Sequence, residues 1–204
     1  LTLDYRLYLV TEESLPIDVL LEKVEAAVKG GVTLVQLREK TSDGSIFLKK
    51  AVMLKQLLDR YEIPLIINDR IDVALAADAA GVHIGQNDLP LTAVRKIVPA
   101  SMIIGVSTAT VAEAKQAEND GADYVGIGAV FPTKSKADAK LLPAGMLERI
   151  MQSIQIPAVA IGGITLENIK ELQGKGLAGA AIVSGLMRAE EPYQAAAAFR
   201  QAWE

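Results

Sequence analysis

The feature that most constrains this chain is an alternation that runs from end to end: short apolar runs take turns with helical patterns about eight times. Tyr5–Val10 alternates and is rich in β-formers, which predicts a strand. After the polar turn Thr11–Ser14, Pro16 suits a first helical turn, and Val19, Leu20, Val24, Ala27 and Val28 recur at helical spacing over Ile17–Lys29. Gly30-Gly31 ends that helix. A strand opens at Thr33, then come a helix over Ile46–Tyr61, a strand over Pro64–Asn68 and a short helix over Ile71–Ala77. The pattern repeats with strand Gly81–Gly85, helix Pro90–Val98, strand Met102–Val106, helix Val111–Asn119 and strand Asp123–Gly126. A long loop leads to helix Met146–Ile154, strand Ala158–Ile161, helix Leu166–Gln173, strand Ala180–Val183 and a closing helix over Pro192–Trp203.

The strands are short and apolar without interruption, as expected where both faces are buried in a parallel sheet. Eight such units predict an α/β fold, a single (β/α)₈ barrel spanning residues 1–204 as one domain. The alternative is a doubly wound open sheet, whose usual mark is G-x-G-x-x-G after a strand. The nearest candidate, Gly126 to Phe131, lacks the third glycine and does not open a helix. The barrel is therefore the preferred architecture.

Composition narrows the possible partners. With 25 acidic and 21 basic residues the net charge is −4, which offers no basic footprint for nucleic acid and no polybasic attraction to a membrane. The chain has no cysteine, so disulfides, thiolate metal sites and a cysteine nucleophile are excluded, in keeping with a cytoplasmic protein. One histidine, His83, rules out a multi-histidine metal site within one chain. No apolar run reaches membrane-spanning length, and no signal-peptide pattern is read at the start.

Barrels of this kind carry their chemistry at the carboxyl ends of the strands. At the end of the second strand stand Gln36, Arg38 and Lys40, which share one face because side chains alternate along a strand. An amide and two cations suit an anionic, phosphorylated ligand; a strand fraying into a solvated turn is the other reading. The third strand ends in Asn68-Asp69, and the fourth is followed by Gly85-Gln86-Asn87-Asp88. Asp69 and Asp88 follow neighbouring strands about 4.8 Å apart, so their carboxylates can converge on a hard cation such as Mg²⁺. Each alone reads equally as a helix cap or turn residue. Beside an Arg/Lys pair the two together favour the metal. Gly162-Gly163 and Ser184-Gly185, after strands seven and eight, offer backbone N–H groups to a second phosphate. The loop over Phe131–Pro143 carries Lys134, Lys136 and Lys140, either as a lid over phosphates or as a solvated loop. His83 reads as packed or hydrogen-bonded, Tyr8 as core, and Ser107 as a helix cap or site residue without a triad.

Taken together these residues resemble the thiamine-phosphate synthase family, from Tyr5 to about Ala197. The motifs are Q-L-R-E-K at Gln36–Lys40, N-D at Asn68-Asp69, H-I-G-Q-N-D at His83–Asp88, G-V-S at Gly105–Ser107, F-P-T-K-S-K at Phe131–Lys136, I-G-G-I at Ile161–Ile164 and V-S-G at Val183–Gly185. The resemblance implies a transferase of thiamine biosynthesis. The thiazole nitrogen of 4-methyl-5-(2-hydroxyethyl)thiazole phosphate would displace the diphosphate of 4-amino-2-methyl-5-hydroxymethylpyrimidine diphosphate, giving thiamine phosphate and pyrophosphate. It further implies that Arg38, Lys40, Asn68 and Lys136 hold the diphosphate and that Asp69 and Asp88 bind Mg²⁺. Gln36 and Ser107 would contact the aminopyrimidine, and Arg38, Lys40, Lys136 and Ser107 would be the catalytic set. Thr133 and Ser135, with backbone at Gly163, Val183 and Ser184, would hold the thiazole phosphate. The attacking thiazole nitrogen would bring a free lone pair, so no general base is needed, and the resemblance implies a dissociative reaction in which pyrophosphate leaves first. Where relatives often carry a histidine two residues after the serine, this chain has Ala109, which is given no role.

Two other functions fit parts of the pattern. A thiazole tautomerase on the same barrel would have no diphosphate to hold, which the set Arg38, Lys40, Asp69, Asp88 and Lys136 argues against. A non-catalytic phosphate-binding barrel would bind ligands and release no pyrophosphate. Pairing of barrels into a homo-oligomer is possible on size alone.

Overall fold

The computed structural model describes residues 3–13, 15–133 and 140–204. Its eight strands are β1 (Leu7–Val10), β2 (Leu34–Leu37), β3 (Leu65–Asn68), β4 (Gly81–Ile84), β5 (Ile103–Thr108), β6 (Tyr124–Gly128), β7 (Ala158–Ile161) and β8 (Gly179–Ile182). Each pairs in parallel with the next, and β8 returns to β1 through Leu7↔Ala180 and Leu9↔Ile182, closing the barrel. The α/β barrel expected from the alternation is the fold observed.

The helices are α1 (Ile17–Lys29), α2 (Gly44–Asp59), α3 (Ile71–Ala76), α4 (Leu91–Ile97), α5 (Val111–Asn119), α6 (Met146–Met151), α7 (Ser184–Met187) and α8 (Pro192–Trp203). Their apolar stripes lie against the barrel wall. On α2 the buried positions Phe47, Ala51, Leu54 and Leu58 recur three or four apart, which is one helical face. Among the described residues no helix is long and apolar enough to cross a membrane.

The period-two alternation of the strands sorts side chains into two cores. Leu7, Leu9, Val35, Leu37, Leu65, Ile67, Val82 and Ile104 point outward and pack beneath the helices. Tyr8, Val10, Leu34, Ile66, Tyr124, Val159 and Ala181 fill the barrel interior with Leu3 and Tyr5. Inward positions near the carboxyl ends of β2, β3, β4 and β5 are polar instead: Gln36, Asn68, His83 and Ser107.

Several expected elements shift. The helix read over Leu166–Gln173 is a 3₁₀ turn over Ile169–Leu172, and left-handed Gly174 and Gly176 follow it. Asn168 Oδ1 accepts the Thr165 N–H at 2.8 Å, which holds the incoming chain in a turn instead of a helix. Val183-Ser184-Gly185, read as a strand end and loop, opens the short helix α7. Strands β5 and β6 run two residues beyond the expected Val106 and Gly126, because Ser107↔Gly126, Thr108↔Ile127 and Gly128↔Ile161 continue the ladders.

Candidate active site

The carboxyl ends of β2, β3 and β4 gather the charged residues. Strand β2 stops at Leu37, and the chain beyond keeps its alternation: Arg38 is half-buried, Glu39 buried and Lys40 exposed. Glu39 turns away from the barrel interior to an ion pair with Lys50 of α2 at 2.7 Å, nearly sealed from solvent, and also accepts the Ser42 hydroxyl. Glu13 accepts the backbone N–H of Lys40 at 2.8 Å and takes both the N–H and hydroxyl of Thr41. Thr11 Oγ1 accepts the Arg38 N–H at 3.0 Å. Two cations are thus held by two buried or braced carboxylates behind them, while the Arg38 guanidinium makes no hydrogen bond among the described residues.

Asp69 follows β3 in the left-handed region, with φ of 62°, and its N–H donates to the His83 carbonyl at 2.8 Å. That conformation is unusual for a residue with a Cβ, and such residues concentrate at functional sites. Its carboxylate pairs with Lys40. Asp69 does not cap α3, whose N-terminal flank is Arg70 with no side-chain cap, so the capping alternative is overturned. Asp88 Oδ2 accepts the Gly85 N–H at 2.6 Å, so it does brace its own turn. Burial, and then the neighbouring Asp69 carboxylate, hold the Asp88 carboxyl above the usual range, against the opposing pull of the Gly85 N–H and Lys40. Two acids from adjacent strand ends therefore meet. Beside them the amide nitrogen of Asn68, which is 7% exposed, has no hydrogen-bond partner among the described residues.

This donor set fits a magnesium ion. No group of three or more acidic or histidine side chains gathers among the described residues. Mg²⁺ needs fewer, because it typically takes one or two carboxylates and completes its shell with water and substrate phosphates. An aspartate whose proton affinity is raised by burial and by a neighbouring carboxylate, with a lysine already drawn against that neighbour, is an environment that a hard cation would relieve.

Deeper in the barrel lies a polar floor that the sequence only hinted at. Gln36 Nε2 donates to Tyr8 Oη at 2.7 Å, Tyr8 Oη meets Tyr124 Oη at 2.8 Å, and Tyr124 Oη meets His83 Nδ1 at 2.9 Å. His83 Nε2 meets Ser107 Oγ at 2.9 Å. His83 is hydrogen-bonded, and Tyr8 is core, as expected. Ser107 lies in β5, and α5 is capped by Thr110, whose Oγ1 accepts the Glu113 N–H at 3.2 Å; the helix-cap reading of Ser107 is overturned. Tyr124 carries no sequence signal beyond strand propensity. Gly105 makes room for it: an added Cβ there would stand 2.1 Å from Tyr124 Cζ.

The second expected site falls on the far side of the mouth. Gly163, at φ of 67°, passes so close to the preceding loop that a Cβ would lie 2.3 Å from the Pro132 carbonyl oxygen. Its own carbonyl accepts the Asn168 side-chain amide at 2.9 Å. Val183 flanks the start of α7 and Ser184 opens it. Thr133 stands at the edge of the described loop, whereas Ser135 and Lys136 lie outside the described residues. Gln86, which sequence reasoning passed over, donates its amide to the Ser107 carbonyl at 2.7 Å.

A closed parallel barrel with paired acids, cations and a buried polar floor at its carboxyl end defines a (β/α)₈-barrel protein with a charged site at its mouth. Comparison with known proteins narrows that class. A family model described as thiamine monophosphate synthase matches residues 7–186. A thiamine-phosphate synthase of Methanobrevibacter smithii is 48% identical over 190 residues, covering 93% of this chain and 91% of that one. Another, from Enterococcus faecalis, is 53% identical over 171 residues, covering 84% and 81%. The solved thiamine phosphate pyrophosphorylase of Pyrococcus furiosus superposes with a TM-score of 0.89 at 37% identity, over 98% of this chain and 96% of that one. A 3-hexulose-6-phosphate synthase with a TM-score of 0.72 at 17% identity shares the fold alone. The chain belongs to the thiamine monophosphate synthase family, and it is an enzyme, a transferase.

Proposed function

We propose that this enzyme makes thiamine phosphate by a magnesium-dependent transfer of the pyrimidinylmethyl group, in the cytoplasm. The donor is 4-amino-2-methyl-5-hydroxymethylpyrimidine diphosphate, the acceptor 4-methyl-5-(2-hydroxyethyl)thiazole phosphate, and the other product pyrophosphate. The observation that carries the reading is the meeting of Asp69 and Asp88 beside Lys40, next to an Asn68 amide that has no partner among the described residues.

The chemistry asks for little beyond charge and position. The thiazole nitrogen attacks with its own lone pair, so no base need remove a proton from it. The C–O bond to the diphosphate breaks first, and the 4-amino group of the pyrimidine spreads the positive charge that remains. Arg38 offers a planar fork and Lys40 a point charge to the departing oxygens, where negative charge grows. Asn68 donates its amide N–H to the same group, and Lys136 adds a third cation. Asp69 and Asp88 would hold Mg²⁺, which when bound screens the phosphate charges and stabilises the leaving pyrophosphate. Gln36 and Ser107 fix the aminopyrimidine over the floor. Thr133, Ser135 and backbone at Gly163, Val183 and Ser184 hold the thiazole phosphate so that its nitrogen faces the cation, which replaces a bimolecular encounter with a positioned one.

The test is a pyrophosphate-release assay with both substrates present and each omitted in turn. Release should need both substrates and Mg²⁺. Asp69→Ala and Asp88→Ala should each lower turnover by about a hundredfold or more while the circular dichroism spectrum stays that of the parent. Magnesium-independent conversion of the thiazole phosphate alone would point to a tautomerase instead, and binding without any release to a non-catalytic barrel.

A further inference from the structure

The floor of the barrel is a continuous hydrogen-bonded chain whose proton direction follows by counting from the orientation of the Gln36 amide. It runs Gln36, Tyr8, Tyr124, His83, Ser107, and joins the two residues placed at the aminopyrimidine under the reading above. Tyr8 and Tyr124 are sealed inside, and Gln36 and His83 nearly so. A buried hydroxyl must place its single proton on an acceptor, or a polar group is left unpaired in a dry interior. Gln36 Nε2 donates to Tyr8 Oη, so the Tyr8 proton is left for Tyr124. The Tyr124 proton is then left for His83 Nδ1. With Nδ1 accepting, the proton of the neutral imidazole sits on Nε2 and is donated to Ser107 Oγ. The Ser107 hydroxyl proton is thereby left to point elsewhere than His83. At the other end the Gln36 carbonyl oxygen faces away from Tyr8.

Reversing any link reverses all of them. A Gln36 amide turned by half a rotation would accept from Tyr8, move the His83 proton to Nδ1 and make Ser107 donate to the ring. The relay has two polarities, and they present opposite faces to a ligand. The observed one offers an acceptor at Gln36 and a donor at Ser107, which suits a ring carrying an amino group beside a bare ring nitrogen. The reverse would offer an amide N–H where the amino group must donate. Sites built to satisfy specific donors and acceptors discriminate strongly, because the wrong ligand leaves buried groups unpaired.

We propose that Tyr124 is a positioning residue: its hydroxyl, in contact with no substrate, locks His83 in the Nε2–H tautomer and so sets Gln36 as acceptor and Ser107 as donor for the aminopyrimidine. The inference rests on the assignment of that ring to Gln36 and Ser107.

The chain's single histidine makes the tautomer directly readable. Untagged full-length protein labelled with ¹⁵N-histidine should show, at one fixed pH, a pyridine-type Nδ1 and a pyrrole-type Nε2. The opposite tautomer or an imidazolium would overturn the proposal. Tyr124→Phe keeps the ring and removes the central hydroxyl. It should mix the two tautomers and raise KM for the pyrimidine diphosphate by about tenfold, leaving KM for the thiazole phosphate unchanged. Tyr5→Phe, which removes a hydroxyl from the ring 5.1 Å from Tyr124 but outside the relay, should move neither. Equal rises in both KM values for Tyr124→Phe would mark a merely structural role and sink the idea. Should that variant fail to fold, Tyr8→Phe cuts the next link and is read the same way. Gln36→Ala and Ser107→Ala separate the two levels of argument. If both leave the pyrimidine KM alone, the placement of that ring fails and the proposal with it. If both raise it and Tyr124→Phe does not, only the relay falls.

Discussion

Asp88 carries opposing demands. Its Oδ2 braces the turn through the Gly85 N–H, yet burial and Asp69 raise its carboxyl above the ordinary aspartate range. A carboxyl that binds its proton more tightly when folded lends stability below its unfolded value and loses it as pH rises through the raised value. Near neutral pH the ionised Asp88 is therefore a burden on the metal-free protein. Asp88→Asn keeps the shape and removes the charge, so in magnesium-free buffer at neutral pH this variant should melt no lower than the parent. Differential scanning calorimetry measures it. A clear drop in Tm would mean that the Gly85 contact outweighs the repulsion. The paired acids are then held together at a cost to the fold, a pattern common at functional sites.

At the scale of elements, the segment after β2 matters because its alternation continues where the ladder stops. Arg38 and Lys40 face the mouth and Glu39 faces α2, an arrangement legible in Q-L-R-E-K from period two alone. The partner of Glu39 was not legible, since Lys50 lies eleven residues on and reads as a surface lysine of a helix. Lys50→Ala leaves a buried carboxylate alone and should cost about 3 kcal/mol in urea unfolding. Glu39→Leu with Lys50→Met removes both charges and should recover most of that stability. The same double variant should still raise KM for the pyrimidine diphosphate, because the segment carrying Arg38 and Lys40 loses its inner anchor. Full activity in it would show the clasp to be structural only. The 3₁₀ turn at Ile169–Leu172 has the apolar spacing of a helix for a related reason: that spacing reports which face is buried, and Asn168 decides the backbone.

At the scale of the molecule, the barrel brings together residues from strands far apart in sequence, so ligands that bridge them should stabilise the whole. Magnesium and pyrophosphate together should raise Tm by several degrees at saturating concentration, more than the sum of either alone. Thermal melts in the four combinations check this, and strict additivity would argue against a shared site. The eightfold alternation, the buried parallel strands and the order of rim motifs were all legible in the sequence, because backbone periodicity and chain order are properties of a line. Asp69 and Asp88 could be expected to meet, since neighbouring strands in a barrel have neighbouring ends. What the tertiary structure alone decided is which inward side chains touch across the barrel. Tyr8, Tyr124 and His83 come from strands one, six and four, and no spacing rule joins them. Their contact is set by closure of the sheet, by the space that Gly105 leaves open, and by the need of buried hydroxyls for partners in a place without water.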